Sequence, residues 1–127
     1  MKRLFILAAP VALAACATTP AEPEDGIARA GLGERVYVGG PWVTPLAVLE
    51  DSRCPMNARC IWAGTTRLSV RIELGSRSET REIASDARIQ VADGQLALVE
   101  VQPDLMAGEQ PGPQKPYRFG FTFAGGL

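Results

Sequence analysis

A small antiparallel β-sandwich of about seven strands is the fold class this chain predicts, with a small β-barrel as the alternative. Three observations carry it. Leu68, Val70, Ile72 and Leu74 alternate with Arg67, Ser69, Arg71 and Glu73, which gives a strand one apolar and one solvated face. Tyr117, Phe119, Phe121 and Phe123 alternate with Arg118, Gly120 and Thr122, which places an aromatic row on one face of the last strand. Between and before these lie short runs separated by turn residues, with no convincing 3.6-residue period, a pattern of packed sheets rather than helices.

The remaining elements follow in order. Val36 and Val38 suggest a short strand, and residues 42–49 a second, in which Pro45 cannot donate to a ladder and so implies an edge position or a bulge. Residues 80–84 are polar and read as an edge strand. Residues 88–92 and 95–101 read as a hairpin joined by Asp93 and Gly94, a dipeptide suited to the positive φ angles of a type I′ turn. In its second strand Leu96 and Leu98 fall on one face and Val99 and Val101 on the other, so either a bulge intervenes or both faces are covered. Residues 102–116 contain four prolines and form the one long connection, a candidate binding loop.

Ahead of the domain, Met1, Lys2 and Arg3 form a positive segment, residues 4–13 are apolar, and Leu13, Ala14, Ala15 and Cys16 resemble the cleavage site of bacterial lipoprotein signals. Ten apolar residues span only ~15 Å as a helix, about half of a hydrocarbon core, so export is a better reading than a permanent span. The resemblance implies removal of residues 1–15 and lipidation of Cys16, which anchors the chain to a membrane. Ala17 in place of Asp points, by the sorting rule of enteric lipoproteins, to the outer membrane facing the periplasm. Residues 16–33, rich in Pro, Ala, Gly and acidic residues, read as the lipidated cysteine and a flexible tether of ~20 to 25 Å, which leaves 34–127 as one domain.

Composition narrows the function. The chain of 127 residues has no histidine, which excludes Ser-His-Asp and Cys-His catalysis and histidine-based zinc sites. Loss of Lys2 and Arg3 with the signal leaves eleven basic residues against fourteen acidic ones, spread along the chain, so no nucleic-acid partner is expected. With Cys16 lipidated, Cys54 and Cys60 remain, in a compartment that favours disulfides, and are expected to pair. The closed loop is short, worth about 2 to 2.5 kcal/mol at most in the chain-entropy model, so it stiffens one region rather than holding the fold together. Two soft ligands are too few for zinc or an iron–sulfur cluster, and a redox pair would more naturally have two-residue spacing. Nothing matches a calcium loop, and neither a metal nor another cofactor is expected.

Unusual residues are densest in residues 50–64, EDSRCPMNARCIWAG. Asp51 and Ser52 can close an Asx-type turn, Arg53 can fork onto a carboxylate, and Trp62 can pack on the end of the sandwich, so a purely structural account exists. The functional account makes Asp51, Arg53, Met56, Arg59 and Trp62 a rigid recognition surface of the kind enriched at binding hot spots. Asp51, Ser52, Arg53, Cys54 and Pro55, then Cys60, Trp62, Ala63 and Gly64, resemble an element of uncharacterised bacterial envelope lipoproteins. That resemblance implies the location, the disulfide and an all-β domain, and carries over no catalytic or ligand-binding residue.

The expected function is therefore a noncatalytic, lipid-anchored envelope module that binds another protein or a cell-wall component through the stapled and proline-rich loops. A variant of it is an inhibitor that plugs the cleft of a hydrolase. Two alternatives stand beside it. One is an enzyme on an envelope polymer, using Glu50 or Asp51 with Glu100 or Asp104 as paired carboxylates. The other is a spacer or assembly factor with weak, distributed contacts.

Overall fold

The structure, a computed structural model, describes residues 9–14, 23–108 and 116–125. Its strands are β1 (Ala28–Ala30), β2 (Val36–Tyr37), β3 (Trp42–Asp51), β4 (Thr66–Leu74), β5 (Arg77–Ala84), β6 (Ile89–Val91), β7 (Gly94–Gln102) and β8 (Arg118–Gly125). They form two four-stranded antiparallel sheets, in the orders β1-β8-β7-β6 and β2-β3-β4-β5, packed together as a small β-sandwich. The core is the meeting of the alternating faces. Leu68, Val70 and Ile72 of β4 pack with Phe119 and Phe121 of β8 and Leu96 and Leu98 of β7, all essentially removed from water. Each such side chain contributes about 1.5 to 3 kcal/mol by burial.

Among the described residues eight strands form where seven are expected. The extra one, β1, lies inside the segment 16–33 read as a tether, so the ordered domain starts ahead of residue 34. Ala28 and Ala30 have little strand propensity of their own. Their small side chains are buried beside Phe121 and Phe119, their register partners on β8, and tertiary packing decides their conformation. The lipidation residue, Cys16, lies outside the described residues, as do 109–115 of the proline-rich connection.

The bulges sit where side-chain pattern and pleat conflict. The pairing of β7 with β8 skips a residue between Leu98 and Glu100, and the skipped Val99 is 50% exposed, which resolves the two-faced pattern of this strand. In β3 the register shifts after Pro45 and again after Val48, leaving Leu46 and Leu49 exposed. On the other side of β3, β2 reaches only Trp42 and Val43, so no ladder bond is asked of Pro45 there. The Pro45 carbonyl instead accepts from the Gly33 N–H at 2.7 Å.

The β6–β7 hairpin forms with its turn one residue earlier than expected. Val91 pairs with Gly94, so Ala92 and Asp93 make the turn, and Ala92 takes the positive φ of 51°. Gly94 is required for a different reason. A Cβ there would lie 2.5 Å from the Ala124 carbonyl oxygen and from the Phe123 ring, so its lack of a side chain lets β8 approach.

Candidate binding loop at one end of the sandwich

Residues 52–64 connect β3 to β4 across one end of the sandwich, and their neck is built by Ser52 and Thr65. The Ser52 N–H donates to the Thr65 carbonyl at 2.9 Å, and the Thr65 N–H donates to Ser52 Oγ at 3.0 Å. Ser52 thus closes the loop across its base, and the Arg53 backbone N–H, two residues after Asp51, donates to the Asp51 carboxylate as an Asx-type turn requires. Gly64 completes the neck at a φ of +71°, where a Cβ would sit 1.9 Å from the Ser52 carbonyl oxygen. Beyond the neck, Cys54 and Cys60 form the disulfide, with Cα atoms 5.9 Å apart.

Under the loop lies a charged pair held almost out of water. Arg53 Nε and Nη2 donate to the two Asp51 oxygens at 2.8 and 3.0 Å, with side chains 18% and 3% exposed. Tyr117 Oη donates to Asp51 Oδ2 at 2.9 Å, and Thr66 Oγ1 to Oδ1 at 3.4 Å. Arg53 also donates to the Val101 and Pro103 carbonyls, each at 3.1 Å, tying the loop to the end of β7. Burial works to raise the Asp51 carboxyl, but the hydrogen bonds from Arg53 and Tyr117 and the guanidinium charge outweigh it and hold the group below the usual carboxylate range. Burial, with the hydrogen bond to Asp51, pushes the Tyr117 phenol up to about 12. The same carboxylate raises Arg53.

Two further bonds join the loop to the start of the proline-rich connection. The Met56 N–H donates to the Leu105 carbonyl at 2.8 Å, and the Ala107 N–H to Asn57 Oδ1 at 2.6 Å. Leu105 is buried beneath this seam and Met106 is exposed beside it.

The five residues expected to form one surface separate into two groups. Asp51 and Arg53 are the internal mount. Met56, Arg59 and Trp62 are exposed, and Trp62, at 62%, does not pack on the sandwich end. Ile61, which the sequence reading passed over, is 95% exposed beside it, and Met56 is 69% exposed. Arg59 makes no ion pair among the described residues. Compared with protein-family models, curated proteins and solved structures, the chain matches none.

Of the four candidate catalytic carboxylates, Glu50, Asp51 and Glu100 are held by separate cations. Glu50 lies 3.8 Å from Arg67, and Glu100 receives two hydrogen bonds from Arg29 at 3.1 Å, while Asp51 is enclosed as described. Asp104 and Glu100 line a cleft of about 510 Å³ with Arg53, Asp86 and Arg88, where both signs of charge mix. Among the described residues, no helix is long and apolar enough to cross a membrane.

Proposed function

We propose that this chain is a lipid-anchored envelope module that binds a partner protein, without catalysis, through the exposed apolar side chains of the 52–64 loop, which the Cys54–Cys60 disulfide stiffens. The observation that carries the reading is the contrast in exposure within one loop: Met56, Ile61 and Trp62 are 69%, 95% and 62% exposed, above a base fixed by a bidentate ion pair and a disulfide. Large apolar side chains presented on a stiff mount lose little conformational entropy on docking, which is how a few residues come to dominate an interface. Met106 widens the apolar area, and Arg59 adds one cation to it. The complementary surface is an apolar recess with a carboxylate at its rim. Export and anchoring rest on the signal-like residues 1–15 and on Cys16.

The test is photocrosslinking in intact cells from a photoreactive residue placed at Met56, with mass spectrometry of the captured species. A discrete protein adduct that disappears with Trp62→Ala is expected. Absence of any adduct from an exported, folded protein would remove the loop as a protein-binding surface. Release of the chain from membranes on Cys16→Ala tests the anchor separately.

A further inference from the structure

The flank of the sandwich where β5 and β6 lie is open. These strands end their respective sheets, and a cleft of about 380 Å³ runs beside them, lined by Ile72, Leu74 and Val91 and by Arg77, Glu79 and Arg81. The Arg81 guanidinium, part of that lining, donates to the Gln90 carbonyl of β6.

Backbone direction along β5 follows from its turn. Leu74 pairs with Arg77 around the two-residue turn Gly75–Ser76, and such a closing pair exchanges both of its hydrogen bonds. Alternation then points the N–H and C=O groups of Arg77, Glu79, Arg81 and Ile83 at β4. The Ser85 N–H, donating to the Thr66 carbonyl at 2.9 Å, continues that odd-numbered series. Ser78, Thr80 and Glu82 therefore direct theirs away from the sheet, where no further strand lies among the described residues. The odd-numbered side chains share the face of the buried Ile83.

We propose that β5 is the contact strand of a homodimer, paired antiparallel with β5 of a second copy about a two-fold axis at Thr80. Outward-facing backbone groups must oppose outward-facing groups, so only registers that match even-numbered residues form a ladder. Centred on Glu79, the pairing sets Glu79 against its own copy and Arg77 against Arg81. Centred on Arg81, it sets two guanidinium groups face to face. Centred on Ser78, it sets Arg77 against Glu79 but runs into the Gly75–Ser76 turn and leaves the second half of the strand unpaired. Centred on Thr80, it pairs the body of β5 and sets each Glu79 opposite the partner's Arg81, and opposite charges directly across a ladder attract. Within one chain Glu79 and Arg81 already lie 3.8 Å apart, so the four groups form a cluster of alternating sign at the mouths of the two clefts. Charged edges ordinarily discourage pairing. On β5 their order discourages the competing registers and favours this one.

A single strand pair buries less than the ~1,200 Å² of standard interfaces, so the dimer is weak, with dissociation in the range of roughly 0.1 to 1 mM. Sedimentation equilibrium of the purified protein at about 1 mM should show it, at the concentration set by that range. Glu79→Arg and Arg81→Glu, at the rim of the flank, should each be monomeric, because each presents like charges to its own copy. An equimolar mixture of the two should associate again, because each variant presents opposite charges to the other. Under oxidising conditions Thr80→Cys should give a disulfide-linked dimer and Ser78→Cys should not. A monomeric wild-type protein at that concentration, a mixture no more associated than its components, or equal trapping at both cysteine positions would each overturn the proposal. None of these outcomes bears on the loop at the end of the sandwich.

Discussion

The base and the exposed side of the 52–64 loop are a few residues apart in sequence and opposite in physical character. At the base, Asp51 accepts from Arg53, Tyr117 and Thr66, and Arg53 also donates to the Val101 and Pro103 carbonyls. On the exposed side of the loop, called its tip below, Ile61 and Trp62 are left to solvent. A buried charge pair is a poor source of net stability, because desolvation offsets most of its attraction, but removing one partner is severe. Such a pair is better suited to holding a loop in one position than to stabilising a fold. The difference between base and tip is thus between residues that set geometry and residues that are displayed by it.

Changes at the base should have the largest effects. Gly64→Ala should cost about 3 kcal/mol or more, since its Cβ meets the Ser52 carbonyl and its φ is left-handed; a chemical-denaturation midpoint equal to wild type would disprove the strain. Asp51→Ala, which leaves Arg53 nearly buried without its carboxylate, should cost about 3 kcal/mol by the same measurement. Reduction of the disulfide should cost about 2 kcal/mol, the value for so short a loop, and should raise amide exchange between Cys54 and Cys60 while leaving β4 and β8 protected.

Tyr117→Phe should cost about 1 kcal/mol and change the shape of the pH profile. The Asp51 carboxyl is lowered on folding, so its stabilisation is complete above the ordinary carboxylate range near pH 4 and is lost as pH falls through the lowered value. The Tyr117 phenol is raised to about 12, so its share is complete below about pH 10 and is lost as pH climbs towards the folded value. Removing the hydroxyl should therefore flatten the alkaline loss, which denaturation at pH 9 and pH 11 would reveal, with an unchanged slope counting against the assignment.

The smallest expected change in stability belongs to the tip. Ile61→Ser with Trp62→Ala should shift stability by no more than about 0.5 kcal/mol. Partner capture should be lost all the same. A large loss of stability would mean that these side chains are packed after all.

How much was legible in the sequence divides along the same line. The alternation of β4 and β8 announces the two sheets, because both strands bury one complete face, and the hairpin and disulfide are local enough to read directly. The role of Asp51 is not local. Its partner Tyr117 lies 66 residues away and meets it only where the two sheets pack together, so an acidic residue beside an arginine looks the same whether exposed or enclosed. Gly94 misleads for a related reason: an Asp-Gly pair signals a turn, whereas here the glycine answers to the ring of Phe123 on another strand. Strand β1 is silent because three residues, Ala, Arg and Ala, have no pattern until β8 supplies one.

That silent strand also decides how the domain meets mechanical load. A pull on the chain ahead of β1 passes Asp25 and enters β1, where the Arg29 guanidinium is held by that Asp25 at 2.6 Å and by Glu100 of β7 at 3.1 Å. It then passes through three residue pairs into β8, at the positions that carry Phe119 and Phe121. Tension therefore enters the sandwich at the strand that carries two fully buried aromatic rings, and β1 makes no ladder with either strand that flanks the displayed loop.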